Sequence, residues 1–211
     1  VEVLIASDIL KGGSGTSDEI VFTIDGAGTD DITATQFANV TGFEKLTVDT
    51  DDEIDIEMSE NNVADGKTMT VNASKVATQV VTFDGSAESD GTYDITVGGV
   101  GAHVITLGQL GDKLTSTSTG NLTVTATSGD NTIVTGDGQD GITGGTGDDN
   151  IKSGSAIDTI SFTSANLTSG DTVDGGAGVD IISLTTDGSV VVDSDFTNFS
   201  NSFLKRLEFS T

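Results

Sequence analysis

Residues 128–161 read S-G-D-N-T-I-V-T-G-D-G-Q-D-G-I-T-G-G-T-G-D-D-N-I-K-S-G-S-A-I-D-T-I-S. One nine-residue unit recurs through them, of the form G-G-x-G-x-D-x-U-x with U a large apolar residue. Asn131, Asp140, Asp149 and Asp158 hold the acidic slot, and Ile133, Ile142, Ile151 and Ile160 the apolar slot. Two registers locked to one period indicate a stacked array. The glycine-rich half of each unit, with Gly136, Gly138, Gly145 and Gly147, must turn sharply. Glycine allows positive φ there and lets backbone carbonyls converge. The x-U-x half reads as a short strand with its apolar residue inward.

Two units make one coil of about eighteen residues, so acidic residues eighteen apart stack at about 4.8 Å. That pairs Asn131 with Asp149, and Asp140 with Asp158. Two carboxylates about 5 Å apart repel by ~3 kcal/mol at an effective dielectric of about 20. A hard divalent cation removes that repulsion. Ca²⁺ accepts about six to eight oxygens in flexible geometry, whereas Mg²⁺ demands a tight octahedron. The pattern therefore predicts several bound Ca²⁺.

Isolated copies stand at 25–32 (D-G-A-G-T-D-D-I) and 175–182 (G-G-A-G-V-D-I-I), and a looser one with an extra residue at 12–20. They add Gly26, Gly28 and Asp30, and Gly176, Gly178 and Asp180, to the candidate ligands. A lone Gly-Asp cluster is also ordinary turn chemistry. At 153–160 the unit is degraded, with Ala156 and Ile157 in place of the usual Gly-x, and Asn131 stands where Asp is usual.

These motifs resemble the RTX (repeats-in-toxin) nonapeptide, continuously over about a sixth of the chain. The resemblance implies a parallel β-roll binding Ca²⁺ between turns. It further implies a chain that stays unfolded in the low calcium of the cytoplasm and folds outside. The phrase F-A-N-V-T-G-F-E-K-L-T-V (37–48) is similar to strand repeats of Gram-negative surface-layer proteins and large RTX adhesins. A weaker echo of it stands at 196–209, as the 26–32 copy recurs at 176–182. The chain thus reads as a slice of a larger repetitive protein or a protomer with related ends.

Composition fits. With 34 acidic against 8 basic residues the net charge is −26, which disfavours nucleic acid as a partner because phosphate contacts need Lys and Arg. There is no Cys, hence neither disulfide nor thiolate metal site, and no Pro to interrupt strand stacking. No apolar run is long enough to span a bilayer. The chain opens at Val1 without a basic-then-apolar leader, which reads as a processed or trimmed fragment.

Short alternating stretches predict strands near 20–24, 46–48, 69–71, 80–83, 93–97, 103–107 and 122–124. The best helical candidates are Ala34–Asn39 and Ser194–Leu207, each equally a loop. In the acidic stretch 49–61, Ile54, Ile56 and Met58 alternate with Asp55 and Glu57. It reads as a strand with a solvated, aggregation-blocking edge, with Asp49, Asp51 and Asp52 as weaker ligand candidates.

Enzyme chemistry finds little support. His103 is the only histidine and shares alternation with Ile105 and Leu107, so it reads as packed. There is no G-x-S-x-G, H-E-x-x-H or phosphate-binding loop, and no Trp to line a sugar groove.

The sequence therefore predicts an all-β, right-handed parallel β-solenoid with a calcium β-roll. Its parts are a solenoid region at 1–125, the β-roll at 126–185 and an apolar terminal segment at 186–211. The expected protein is non-enzymatic, extracellular, and self-assembling into a surface layer or filament, with cell-surface polysaccharide a possible second partner. Alternatives are an adhesive module using Thr-rich faces such as 115–119, or an export and stabilising domain of a secreted enzyme. Phe196, Phe199, Phe203, Leu204, Leu207 and Phe209 crowd the terminal segment, which must fold back on the chain or, as expected, dock on the next repeat or protomer.

Overall fold

The computed structural model describes residues 5–23, 30–185, 192, 197–199 and 204–210, with Asp30 and the last segment described for backbone alone. Two long sheets carry nearly all of the regular structure, and all pairings within them are parallel. The nine-stranded sheet takes, among others, Asp30–Ile32, Ile54–Glu57, Val81–Asp84, Val104–Thr106, Gly141–Thr143, Thr159–Thr163, Asp180–Thr185 and Leu204–Ser210. The eight-stranded sheet takes the alternate strands, from Glu19–Phe22 to Thr172–Asp174. Each coil thus gives one strand to each face, and coils stack strand on strand. The molecule is a parallel β-solenoid.

Period-two alternation drives this. In Thr92–Val97 the odd residues Tyr93, Ile95 and Val97 are buried and the even ones are not. One apolar column runs Ile20, Leu46, Val71, Ile95, Leu114, Ile133, Ile151, Val173. A second, on the other sheet, runs Ile32, Ile56, Phe83, Ile105, Val124, Ile142, Ile160, Ile182. Most of these side chains are buried in one continuous core. Each contributes about 1.5–3 kcal/mol on full burial, so a register slip of one residue would forfeit a whole column.

Coil length is not constant. Equivalent residues are 26 apart between Asp18 and Glu44, 19 between Asp112 and Asn131, 18 between Asn131 and Asp149, and 22 between Asp149 and Asp171. The eighteen-residue coil holds only in the nonapeptide array. Elsewhere the extra residues enlarge the turns. One holds the single-turn helix Ala34–Phe37, capped by Thr33 and Gln36 and anchored by buried Phe37.

Three expectations are corrected. Leu204–Ser210 is not helix but strand, paired in parallel with Asp180–Thr185; Phe196 and Phe203 lie outside the described residues. Phe199 bridges Val173 and packs on the core. The described strand of the terminal segment is thus the next one in the nine-stranded sheet of its own chain. The two long-range echoes also part company. Lys45–Val48 lies in the eight-stranded sheet and Leu204–Ser210 in the nine-stranded one, since the longer second copy carries the chain half a coil further. Finally, Ile54–Glu57 is an interior strand between Asp30–Ile32 and Val81–Asp84, and no edge. Of its flanking acids, Asp49 and Asp51 serve the neighbouring coil. Asp49 pairs with Lys75 at 2.6 Å, and Asp51 accepts the N–H groups of Ala77 and Thr78 at 2.7 and 2.6 Å. Asp52 accepts from the Thr50 hydroxyl at 2.9 Å.

Candidate cation site: an acidic ladder inside the coil stack

Two residues before each core column, a second inward position repeats once per coil. In the middle coils hydrocarbon fills it: Met69, Tyr93, Ile54 and Val81 are all buried, whereas the first coils carry Asp18 and Glu44 there, the Asp18 N–H donating to Glu44 Oε2 at 2.9 Å. Further along it turns acidic. On one side stand Asp112, Asn131, Asp149 and Asp171, and on the other Asp140, Asp158 and Asp180, every one at most 2 % exposed. A carboxylate so buried must find partners.

One oxygen of each does. Oδ1 of Asp112 accepts the backbone N–H of Tyr93 at 2.7 Å. That of Asn131 accepts from Asp112 at 2.9 Å, of Asp149 from Asn131 at 3.0 Å, and of Asp171 from Asp149 at 2.9 Å. Across the stack Leu122 donates to Asp140 at 2.7 Å, Asp140 to Asp158 at 2.8 Å, and Asp158 to Asp180 at 3.1 Å. Each side chain thus caps the main chain of the preceding coil, and the predicted pairs 131–149 and 140–158 are in contact.

The other oxygen divides the set. Oδ2 of Asp112 and of Asp171 each accepts a turn N–H, from Gly108 and Thr168, both at 2.7 Å. Asn131 is saturated too, because its Nδ2 donates to the carbonyls of Ser128 and Gly129 at 3.2 and 2.8 Å. But Oδ2 of Asp140, Asp149, Asp158 and Asp180 is buried with no hydrogen-bond partner. Burial pushes all four carboxyls above the ordinary aspartate value, Asp158 to about 6. The charges of Asp140 and Asp180 add to the rise at Asp158, and those of Asp171 and Asp130 at Asp149. An unsatisfied buried acceptor costs about 1–3 kcal/mol, more when charged. The four orphaned oxygens, hard and anionic, fit an oxygen-seeking divalent cation.

The glycine turns let the backbones of successive coils approach closely beside these oxygens' own turns. Gly147, Gly176 and Gly178 adopt positive φ, as expected. Gly136, Gly138 and Gly145 do not; they are required by space instead. A Cβ on Gly145 would lie 2.6 Å from the Thr127 carbonyl carbon, and one on Gly136 or Gly138 would strike the carbonyl of Ser118 or Gly120. Ala156, in the slot that Gly147 fills one unit earlier, is forced to φ 86°, the only non-glycine residue with positive φ among those described.

Of the isolated copies, Asp180 joins the ladder. Asp30 opens a strand in register with Ile54, and Gly26 and Gly28 lie outside the described residues. Two ladder members fall outside the nonapeptide motif, Asp112 and Asp171. Their signal was the acid two before an apolar column residue (Asp112/Leu114, Asp171/Val173), hidden by coils of 19 and 22 residues. His103 occupies a ladder position as well. Its Nδ1 accepts the N–H of Val81 at 3.1 Å and its Nε2–H donates to the Gly98 carbonyl at 2.7 Å. That is the neutral tautomer, and burial lowers its pKa. No helix among the described residues is long and apolar enough to cross a membrane. Comparison of the chain with family models, with curated proteins and with solved structures finds no match.

Proposed function

We propose that this chain is an extracellular, calcium-rigidified structural module of the RTX type that stacks into a surface layer or filament. The four unpartnered Oδ2 atoms carry the reading. Asp140, Asp149, Asp158 and Asp180 would each offer one oxygen, and the carbonyls of the glycine turns the rest. Without the ion the buried carboxylates repel and lack partners; with it, binding free energy becomes folding free energy. Low cytoplasmic calcium would keep the chain exportable, and millimolar calcium outside would fold it. Assembly is favoured by the outer edges of Glu19–Phe22 and Asp30–Ile32, each the last strand of its sheet among the described residues, since a parallel stack accepts a further strand there. A non-catalytic role agrees with His103, whose two ring nitrogens are both engaged. Cell-surface polysaccharide would be the natural anchor of such an assembly.

The deciding experiment is circular dichroism after EDTA treatment, followed by addition of Ca²⁺ or Mg²⁺, with sedimentation of the refolded protein. Loss of much of the β signal, restored by millimolar Ca²⁺ and not by Mg²⁺, with sedimentation as oligomers, is expected. An unchanged spectrum in protein shown to be calcium-free by elemental analysis would overturn it.

An adhesive face is the second reading. Thr106, Thr125 and Thr143 line up in register on the nine-stranded sheet. The adjoining rank is broken by Val104 and Gly141, so no regular Thr-x-Thr lattice forms, and the structural reading is preferred.

A further inference from the structure

A second acidic cluster lies outside the nonapeptide array. Glu60 stands in the turn after Ile54–Glu57, and Glu88 and Asp90 in the turn after Val81–Asp84, one coil on. One carboxylate oxygen of each lies within 4.8 Å of the others. Among the described residues this is the one place where three such groups meet.

Acidic clusters are common on surfaces, and Glu88 sets this one apart. It is fully buried. Its Oε1 accepts the N–H groups of Asp90 and Gly91 at 3.2 and 2.8 Å. Those bonds fix the carboxylate, yet Oε2 is buried with no hydrogen-bond partner. A Cβ on Gly91 would lie 2.5 Å from Val63 Cγ1, so the chain packs tightly around the side chain. Glu60 is held by the Ser89 hydroxyl, which donates to its Oε1 at 2.6 Å. Asp90 is exposed and, with Glu60, lines a cleft of about 520 Å³ walled also by Lys11, Asn39 and Asp65. The cluster is therefore closed toward the core by Glu88 and open to solvent through the cleft.

We propose that Glu60, Glu88 and Asp90 form a divalent-cation site, for Ca²⁺ by preference, that clamps two adjacent coils outside the continuous nonapeptide array. Ca²⁺ bonds oxygen at about 2.3–2.6 Å, so ligands on opposite sides of one ion stand up to about 5 Å apart, which the cluster satisfies. Opposite ligands of Mg²⁺ stand only about 4.2 Å apart, so the wider and more flexible Ca²⁺ shell accommodates more of the spacings that a cluster bounded at 4.8 Å allows. Carboxylates from two coils supply three ligands, and water from the cleft completes the shell. Such a site does for the long early coils what the ladder does for the short later ones, and it stands whether or not the ladder binds calcium.

The chain carries its own reporter. It has one Tyr and no Trp, and Tyr93 is buried where the Glu88 charge is the strongest of those acting on its hydroxyl. Tb³⁺ held by Glu88 would be sensitised by exciting Tyr93. The test is Tb³⁺ emission on tyrosine excitation of the whole chain, with Ca²⁺ as competitor. Expected are a saturable signal displaced by Ca²⁺, at least tenfold weaker Tb³⁺ affinity in Glu60→Gln and Asp90→Asn, and a retained signal in Asp149→Asn. The first two variants are solvent-accessible changes that leave the core intact, so the test does not depend on Glu88→Gln folding. No saturable signal, a signal indifferent to both variants, or one lost with Asp149→Asn alone would overturn the site. The last outcome would leave the ladder reading standing, whereas a normal Tb³⁺ signal with calcium-independent folding would sink the ladder and keep this site.

Discussion

The backbone N–H of Asp140 ends on Oδ1 of Asp158, eighteen residues on, and Oδ2 of both carboxylates is left buried without a partner. Half of each side chain is thus structural and half is available. Removing the whole side chain removes both functions, and replacing it with an amide separates them.

Asp149 allows the separation to be measured. Asp149→Ala strips the acceptor from the N–H of Asn131 and should cost about 1–3 kcal/mol even without calcium. Asp55→Ala, on the outward face of its strand, should cost under about 0.5 kcal/mol. Asp149→Asn should follow the precedent of Asn131, whose Nδ2 reaches the carbonyls of its own turn. It should therefore be more stable than Asp149→Ala in EDTA and gain less from calcium than the parent. Chemical denaturation in EDTA and in millimolar Ca²⁺ checks all three; equal losses at 149 and 55 would displace the ladder from its role.

Ala156 is held at φ 86°. A left-handed conformation disfavours any residue with a Cβ, by about 1 kcal/mol relative to Gly. Ala156→Gly should stabilise the folded protein by up to about 1 kcal/mol, less the added entropy of the unfolded chain. A destabilised variant would show that the methyl contributes packing that outweighs the strain.

Stability without calcium should fall as pH rises from about 4 to about 6. Burial raises Asp112 and Asp158 to about 6 from 3.8, and raises Glu88, Asp140, Asp149, Asp171 and Asp180 as well. In that window the folded state holds protons that the unfolded chain has released, so each step up in pH favours unfolding. For Asp112 and Asp158 the loss is on the order of 2–3 kcal/mol each. His103, lowered by burial, acts in the opposite direction, as a single group. Thermal melts in EDTA at pH 5.0 and 7.5 should give the higher Tm at pH 5.0, with calcium narrowing or reversing the difference. A higher Tm at pH 7.5 in EDTA would mean the carboxylates are already satisfied.

Deleting residues 204–211 should raise aggregation. The cut replaces the Leu204–Ser210 edge with that of Asp180–Thr185 and strips the last strand from beside buried Ile182 and Leu184. Light scattering of the truncated and full chains at equal concentration measures it; an equally monodisperse truncated form would show that the last strand is dispensable.

The nonapeptides made the solenoid legible because Ile133, Ile142, Ile151 and Ile160 repeat at a fixed interval and their neighbours Asp140, Asp149 and Asp158 mark the turns. Outside the array the interval drifts, and Asp112, Asp171 and His103 cannot be found by period alone. Their common property is geometric: each stands two residues before a core residue and reaches the coil before it. Glu88 was illegible for another reason. Its burial comes from Val63 and Gly91 packing around it, a tertiary outcome that E-S-D-G does not encode locally. The terminal strand is not legible as a strand because six large apolar residues in fourteen announce burial without fixing helix or strand.

The ladder also has a direction. Tyr93 gives to Asp112, Asp112 to Asn131, Leu122 to Asp140 and Asp158 to Asp180, and in each case the acceptor is the later residue. A coil is therefore left with a bare inward N–H until its successor arrives. Truncation from the C-terminal end strips acceptors and leaves buried donors behind; truncation from the N-terminal end frees only oxygens. The two ends are unequal as starting points for folding. A chain whose C-terminal part reaches calcium first can finish each new coil against one already in place, whereas a chain emerging N-terminus first must hold every coil unfinished until the next has followed.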